Sequence, residues 1–257
     1  MDCTVAGLDL PRGSFDCFVM KQIQSVATAL AFACFAGMVV DTTAAQPGDL
    51  LTDLITTTRV EQPQAPTNRL ELFNGKDFDG FVFTSRSSGN QPSETWIVTN
   101  GVIHCTGKTI GYLRTEKSLR DYKLMVEWRF LKVAPKADNT GVLVHMQLPD
   151  KVWPQCVQVQ GKHDRQGDLF LMAGAESKEH RGLDANTALP LRGESVEKPV
   201  GEWNTSMTLC SSNVVKAYIN DRLMNEATEC TVSSGFIGIQ SEGADFEIRK
   251  MFVEPLN

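Results

Sequence analysis

The chain has 257 residues, which is room for one large all-β domain or two small ones. A hydrophobic content of 42% and a charged content of 22% fit a folded protein with a real core and exclude a disordered one. The net charge of −6 and the lack of basic clusters argue against contacts with a phosphate backbone, so no nucleic-acid partner is expected.

Residues 1–45 have the pattern of an export signal. Met20, the expected true start, and Lys21 precede an almost uncharged apolar run from Val26 to Val40, and the small residues Thr43-Ala44-Ala45 follow it. We expect cleavage before Gln46 and a mature protein that is periplasmic or secreted. The run is shorter than the roughly 20 residues of a membrane-spanning helix, so no membrane span is expected in the mature chain. An uncleaved membrane anchor is the alternative.

Residues 46–69 are polar and contain three prolines, which predicts a linker ahead of a domain over residues 70–257. Four cysteines fall in that domain: Cys105, Cys156, Cys210 and Cys230. In an oxidising compartment they could form disulfides, with Cys210 and Cys230 as the favoured pair because they flank one predicted hairpin. Isolated buried thiols are the alternative.

Short strands follow one another from Leu70 onward. "TWIVTNGVIHCTG" predicts a hairpin at Asn100-Gly101, and "NVVKAYINDRLMNEA" predicts another at Asn220-Asp221. "YKLMVEWRF" alternates cleanly between apolar and polar residues, and "DFEIRKMFVEPL" ends the chain as a strand. Only residues 110–121 suggest a short helix. The pattern favours an all-β sandwich or jelly roll, and the aperiodic segment 173–200 is expected to cover a groove.

Polar residues recur on one parity of several strands. The stretch "DKVWPQCVQVQGKHDRQGDLF" alternates amides with valines and is preceded by a Trp-Pro pair. Amides donate and accept hydrogen bonds, which suits sugar hydroxyls, and carboxylates can serve as acid and base. The stripe predicts a carbohydrate groove lined by Glu127, His145, Gln158, Gln160, Gln240 and Glu242. Ordinary solvated strand residues are the alternative.

Further candidates lie at the ends of strands. Trp153 could stack on a sugar ring or anchor the core, and Asp168 suits a turn. Glu202 and Asn204 could face a site or cap a turn, while Trp203 between them is expected in the core. No Cys/His spacing typical of zinc occurs in the sequence.

The ordered motifs resemble the 3-keto-disaccharide hydrolase family, also described as 3-keto-glucoside lyase/hydratase. The resemblance covers residues 70–257, and its pieces are "LFNGKDFDGF", "WIVTNGVIHCTG", "YLRTEKSLRDYKLMVEWRF", "NTGVLVH", "VWPQCVQVQ", "GDLFLM", "KPVGEWNT", "YINDRL" and "GFIGIQSEGADFEIRKMFVEPL". It implies a concanavalin A-like jelly-roll β-sandwich, exported and acting on 3-keto-glycosides by hydrolysis or by elimination and hydration.

The polar stripe and the resemblance together indicate which residues form the site. We expect catalytic roles for Glu127, His145, Glu202 and Glu242, without assigning base and acid, and substrate binding by Trp153, Gln158, Gln160, Asn204 and Gln240. A divalent metal is one way to stabilise the enolate that such chemistry needs, and no residue is assigned to it. Where Gln158 stands, the family usually has a glutamate. A non-catalytic carbohydrate-binding module is therefore the alternative, and a cell-surface interaction domain using residues 173–200 is a third.

Overall fold

The structure is a computed structural model that describes residues 62–87, 92–132, 139–184, 187–190 and 193–256. The predicted export signal and most of the predicted linker lie outside the described residues. Of the linker, Gln64 is described, and it forms an isolated parallel bridge with Leu119. Within the described part of the chain, no helix is both long and apolar enough to cross a membrane.

Two antiparallel sheets make up the domain. In the larger sheet, β1 pairs with β14, and the other strands follow the order β12-β11-β10-β6-β14-β4-β3. Its strands are β1 (Leu70–Glu71), β3 (Trp96–Thr99), β4 (Val102–Cys105), β6 (Tyr122–Phe130), β10 (Asn204–Ser211), β11 (Val214–Ile219), β12 (Arg222–Ala227) and β14 (Phe246–Glu254).

The smaller sheet has six strands in the order β2-β5-β13-β7-β8-β9. They are β2 (Phe81–Ser85), β5 (Gly111–Thr115), β7 (Asn139–Met146), β8 (Cys156–Gln160), β9 (Leu169–Met172) and β13 (Phe236–Glu242). Among the described residues, the only helix is the 3-10 turn Pro92–Glu94. The predicted all-β sandwich is thus confirmed, whereas the short helix expected within residues 110–121 is wrong because β5 occupies that stretch.

The two predicted hairpins are confirmed by their turn geometry. Asn100 and Gly101 have φ values of 52° and 76°, and Asn220 and Asp221 have 47° and 67°. A type I′ turn requires positive φ at both central residues, and its twist matches the twist of the two strands that it joins. The turns therefore fix the registers of β3 with β4 and of β11 with β12.

The core lies between the inner faces of the two sheets. On β6, alternate residues from Tyr122 to Phe130 are buried, as the sequence pattern predicts. Val157 and Val159 of β8 join the same core from the smaller sheet. Each buried side chain of this size contributes about 1.5–3 kcal/mol to the free energy of unfolding.

The described parts of the segment 173–200 lie along edge strands of the sandwich. Leu189 pairs with Leu169 of β9, and Asn225 of β12 donates from Nδ2 to the Leu189 carbonyl at 2.7 Å. The Lys178 N–H donates to the Thr228 carbonyl at 2.8 Å. The segment thus joins edge strands of both sheets, and Ala173 and Ala188 are the described residues of it that reach the groove defined below.

All four cysteines of the domain are buried free thiols, which was the predicted alternative to disulfides. The disulfide expected between Cys210 and Cys230 is therefore wrong for this structure. Burial raises the pKa of Cys105, Cys210 and Cys230 to about 12. These thiols act as small apolar side chains of the core.

Candidate active site

Polar residues are buried on the outer face of the smaller sheet. Val157 and Val159 of β8 point into the core, whereas Gln158 and Gln160 point the other way and are still only 5% and 6% exposed. Amide side chains on the outer face of a sheet have such low solvent exposure only where neighbouring elements cover them. Their burial indicates a groove on this face.

Two adjoining cavities form that groove, with volumes of about 640 Å³ and 450 Å³. Both volumes are in the range of small-molecule sites, roughly 300–1,000 Å³. Both cavities are lined by Phe170 and Glu242. We call their combined lining the amide groove: Asn139, Trp153, Gln158, Gln160, Lys162, Arg165, Asp168, Phe170, Leu171, Met172, Ala173, Ala188, Gln240 and Glu242.

A hydrogen-bonded network crosses the floor of the amide groove. Gln158 Nε2 donates to Gln240 Oε1 at 2.9 Å, and Gln240 Nε2 donates to Glu242 Oε2 at 3.0 Å. Asn139 Nδ2 donates to the same Glu242 oxygen at 2.6 Å. Strand β7 lies between β8 and β13, and it has a glycine, Gly141, where the Gln158 side chain passes. The network holds one oxygen of Glu242 in place.

The loop between β7 and β8 brings Trp153 to the amide groove. Its tip is held by Asp150, which accepts from Arg114 Nε and Nη2, each at 2.7 Å. Tyr112 Oη donates to Asp150 as well, at 3.1 Å. Hydrogen bonds from Arg114 hold the pKa of Asp150 below its usual value, and burial raises the pKa of Tyr112 to about 12. This charged, bidentate contact is stronger than a hydrogen bond between neutral groups.

Besides Asp168, eight groove residues were not assigned to the site from the sequence: Asn139, Lys162, Arg165, Phe170, Leu171, Met172, Ala173 and Ala188. Asp168 was interpreted as a turn residue, yet it is 2% exposed and lines the amide groove. Arg165 Nε donates to Asp168 Oδ2 at 2.6 Å, so the pair brings no net charge. Phe170 shares the parity of Met172 on β9, and that alternation is the signal that could have found it.

His145 lies between the sheets and not in the amide groove. The pairing of β7 with β13 slips between Phe236 and Gly238, and His145 has a φ of 55° at this bulge. An extra residue in a strand moves the following side chain to the opposite face. The His145 Nδ1 atom lies 3.1 Å from the Val232 carbonyl oxygen, and burial lowers the pKa of His145 to about 4. The parity argument therefore fails at this residue.

Glu127 lies on the outer face of the larger sheet, on the other side of the sandwich. Its carboxylate binds Arg249 at 2.6 Å and Lys250 at 3.0 Å. Burial raises the pKa of Glu127, but these two cations outweigh it and the net shift is downward. Trp203, expected in the core, lies on this side between the guanidinium groups of Arg129 and Arg249. Parity was correct for Glu127, but parity does not reveal which sheet a strand joins.

Asn204 begins β10 of the larger sheet, Glu202 lies in the turn before it, and neither lines the amide groove. Asn204 Oδ1 accepts from the Lys198 N–H at 2.8 Å and from Asn220 Nδ2 at 2.9 Å. Glu202 is exposed in the turn that closes on Pro199. Asn204 thus fastens the chain entering β10 to the β11–β12 turn. Of the predicted site residues, the amide groove brings together Trp153, Gln158, Gln160, Gln240 and Glu242.

A metal-ligand set is not found in the amide groove. In the described ranges, the only cluster of three His, Cys, Asp or Glu ligand atoms within 4.8 Å is His163, Asp164 and Glu197. There the Glu197 carboxylate already binds His163 Nδ1 at 2.8 Å and the Asp164 N–H at 3.0 Å. The groove has two carboxylates, Asp168 and Glu242, and Asp168 is already paired with Arg165. These groups do not form a ligand set for a divalent cation, and we derive no step through a metal.

The family model of the 3-keto-alpha-glucoside-1,2-lyase-like domain matches residues 69–254. The chain belongs to this family. The match begins one residue before β1 and ends with the last residue of β14, so it covers both sheets. Among curated protein sequences, none matches the chain.

Solved structures share the fold of this family member. Two proposed glycosyl hydrolases from Parabacteroides distasonis ATCC 8503 are similar to 74% of this chain, at TM-scores of 0.53. They are 18% and 20% identical, over 100% and 94% of their own lengths. The carbohydrate-binding module CBM66 from Bacillus subtilis is 16% identical, with a TM-score of 0.46, over 68% of this chain and 95% of its own. The predicted concanavalin A-like jelly roll is confirmed, and the chain is a 3-keto-disaccharide hydrolase-like domain with a glycosyl hydrolase-like fold.

Proposed function

We propose that this protein is an exported enzyme that cleaves 3-keto-glycosides in the amide groove by elimination followed by hydration. The observation that carries the proposal is the Glu242 carboxylate. Its Oε2 is held by Asn139 and Gln240, and its Oε1 has no partner among the described residues. A fixed carboxylate with one free oxygen in a groove suits proton transfer. The family supplies the class of substrate.

The reaction starts from the acidity that a C3 ketone gives to the C2 proton of the sugar. Glu242 takes this proton, and the electron pair of the C–H bond forms the C2=C3 double bond of an enolate. The enolate restores the ketone as a C1=C2 double bond forms and the bond from C1 to the leaving oxygen breaks. That oxygen takes the proton from Glu242, and water then adds across C1=C2, with its hydroxyl on C1 and a proton on C2.

The rest of the amide groove supports such a substrate. Trp153 and Phe170 offer aromatic surfaces on which the apolar face of a sugar ring can pack. Gln158 and Gln160 offer buried amides for hydroxyl and carbonyl oxygens, where a hydrogen bond is worth more than in bulk water.

Turnover of a panel of 3-keto-glucosides by residues 46–257 tests the proposal, with EDTA and then with added Mn²⁺, Ca²⁺ or Zn²⁺. We expect Glu242→Gln to lower kcat by roughly 100-fold or more, since it removes the proton acceptor. Glu127→Gln is the matched control and should stay within about twofold, because Glu127 faces the other side of the sandwich. Absence of cleavage at high enzyme concentration under every metal condition would sink the proposal.

A non-catalytic carbohydrate-binding module is the second candidate. The observation that favours it is Gln158, an amide at the position where related chains usually have a carboxylate. Sugar binding without turnover would support this function, and turnover restored by Gln158→Glu would assign the loss to that position.

Export forms part of the proposal and is supported by the apolar run before Thr43-Ala44-Ala45. N-terminal sequencing of the protein recovered from the cell envelope and medium tests it. A first residue of Gln46 is expected, and a retained Met20 or Met1 would contradict cleavage.

A further inference from the structure

Four side chains of the amide groove form a continuous chain of hydrogen bonds. Gln240 Nε2 donates to Glu242, and Gln240 Oε1 accepts from Gln158 Nε2. The same Gln158 nitrogen donates to Gln160 Oε1 at 3.3 Å. We call these four residues the amide relay.

The direction of the amide relay is fixed at both of its ends. An ionised carboxylate only accepts hydrogen bonds, so Glu242 requires the nitrogen of Gln240 to face it. That choice turns the oxygen of Gln240 to Gln158 and the nitrogen of Gln158 to Gln240. At the other end, the backbone N–H of Gly161 donates to Gln160 Oε1 at 3.0 Å, and a backbone N–H cannot accept. Two independent constraints therefore give the amides one orientation.

The amide relay leaves a defined set of atoms for a ligand. Within the described part of the chain, Gln160 Nε2, Gln158 Oε1 and Glu242 Oε1 have no hydrogen-bond partner, and none of them is a fully buried atom. The end of the amide relay therefore offers an amide donor at Gln160, and acceptors remain at Gln158 and Glu242. A ligand that matches this pattern presents an oxygen that accepts to Gln160 and hydroxyls that donate to the other two.

We propose that Gln160 is a specificity-determining residue that recognises the C3 ketone oxygen of the substrate by donating from Nε2. This inference rests on the proposed function, because it names the chemistry that the same groove selects. A ketone oxygen accepts but cannot donate, and it matches the Gln160 nitrogen, whereas an enolate oxygen carries negative charge and matches it better still. The hydroxyl of the parent glycoside has an extra proton for which Gln160 offers no acceptor.

The decisive variant is Gln160→Glu. Glutamate has nearly the same shape, and one of its oxygens can still accept from Gly161 and Gln158, so the amide relay persists. Its other oxygen would face the groove as an acceptor and repel a ketone oxygen. Gln155→Glu is the matched control, since it adds the same charge at a residue that does not line the amide groove.

The measurement is calorimetric binding of 3-keto-1,5-anhydroglucitol and of its parent, 1,5-anhydroglucitol, which both lack an exocyclic leaving group at C1. We expect the wild type to prefer the ketone, and Gln160→Glu to shift the ratio of the two Kd values by roughly tenfold or more toward the alcohol. Gln155→Glu should keep the wild-type ratio. If Gln160→Glu does not fold, Gln160→Met decides, with weaker ketone binding and no gain for the alcohol.

Three results would overturn the inference. They are a wild type without preference for the ketone, a wild type that binds neither compound, and a Gln160 variant that keeps the wild-type ratio. The two proposals can be tested separately. If the wild type turns over no 3-keto-glucoside but prefers the ketone, and Gln160→Glu loses that preference, this inference stands while the proposed function fails. Turnover with an unchanged ratio in the variant would do the reverse.

Discussion

At the scale of single residues, the amide groove depends on a side chain that is missing. Gly141 of β7 lies where Gln158 reaches across the strand toward Gln240. A Cβ atom at this position would meet Gln158 Nε2 and the Val159 carbonyl oxygen, each at 2.9 Å. A contact that short with a backbone atom cannot be relieved by a rotamer change alone. The glycine is therefore part of the site although it offers no functional group.

We expect Gly141→Ala to weaken binding of 3-keto-1,5-anhydroglucitol by roughly tenfold and to lower the free energy of unfolding by about 1–3 kcal/mol. Calorimetry and urea unfolding measure the two effects. Gly193→Ala is the control, because its Cβ would meet only one atom within 3 Å, Nη2 at the far end of the flexible Arg222 side chain. Wild-type binding by Gly141→Ala would mean that the amide relay does not need this passage.

His145 is a second residue with a large effect and no place in the groove. It is fully buried, and its Nε2 atom has no hydrogen-bond partner in the described residues. Its ring packs edge-on against Tyr122 of the larger sheet. Because the charged form would lack both solvent and a carboxylate contact, burial lowers the pKa of His145 from 6.5 to about 4.

Acid should destabilise the protein through His145. Below pH 6.5 the unfolded chain binds a proton at this residue while the folded chain does not, so stability is lost as the pH falls. The loss levels off near pH 4, where the folded state also binds the proton, and amounts to about 3 kcal/mol. Urea unfolding between pH 7 and pH 4 measures it.

His145→Asn is the comparison for this pH dependence, because asparagine does not titrate and tolerates the positive φ at this position. Its slope between pH 6.5 and pH 5 should be much smaller. Carboxylates such as Asp150, whose pKa is lowered in the folded state, add their own loss, but only at lower pH. Equal slopes for both proteins would contradict the assignment to His145.

At the scale of elements, the β7–β8 loop carries Trp153 on a clamp formed by another strand. Arg114 of β5 is 8% exposed and binds both oxygens of Asp150. Its guanidinium also lies over the ring of Phe236, at 4.5 Å from the centroid. The loop is thus positioned from the sheet, and the aromatic wall of the amide groove depends on an ion pair outside it.

We expect Asp150→Asn to raise KM for a 3-keto-glucoside by about fivefold with little change in kcat, since Trp153 binds the ring and takes no part in proton transfer. Steady-state kinetics separate the two constants. Asp221→Asn is the control, because it makes the same change in the exposed β11–β12 turn. A fall in kcat with unchanged KM would show that the loop acts on the chemical step.

The sequence predicted where the strands lie much better than it predicted which strands pair with each other. Alternation identified the buried face of β6 and the amides of β8, and the two hairpin turns followed from local chemistry. Parity could not place Glu127 on the opposite sheet, because strand order is set by contacts distant in sequence. It failed for His145, because a single extra residue reverses the faces and leaves no clear mark in the pattern.

At the scale of the whole molecule, the sandwich buries four reduced cysteines in a protein that we propose is exported. Cys105 and Cys210 lie in the main core, together with Cys230, and Cys156 lies in the smaller cluster of the outer face. Thiol reagents attack the thiolate, and thiols with a pKa of about 12 have very little of it at pH 8. Access to these sulfur atoms therefore requires that the sandwich opens.

We expect residues 46–257 to show no reactive thiol toward a disulfide reagent at pH 8 in the folded state and four in denaturant. Labelling at low denaturant should be slow and should follow the free energy of unfolding, so Gly141→Ala should be labelled faster than Gly193→Ala. Intact mass after labelling in denaturant counts the thiols. A count of two, with the mass of one disulfide, would show that oxidation on export brings together sulfur atoms that this packing keeps apart.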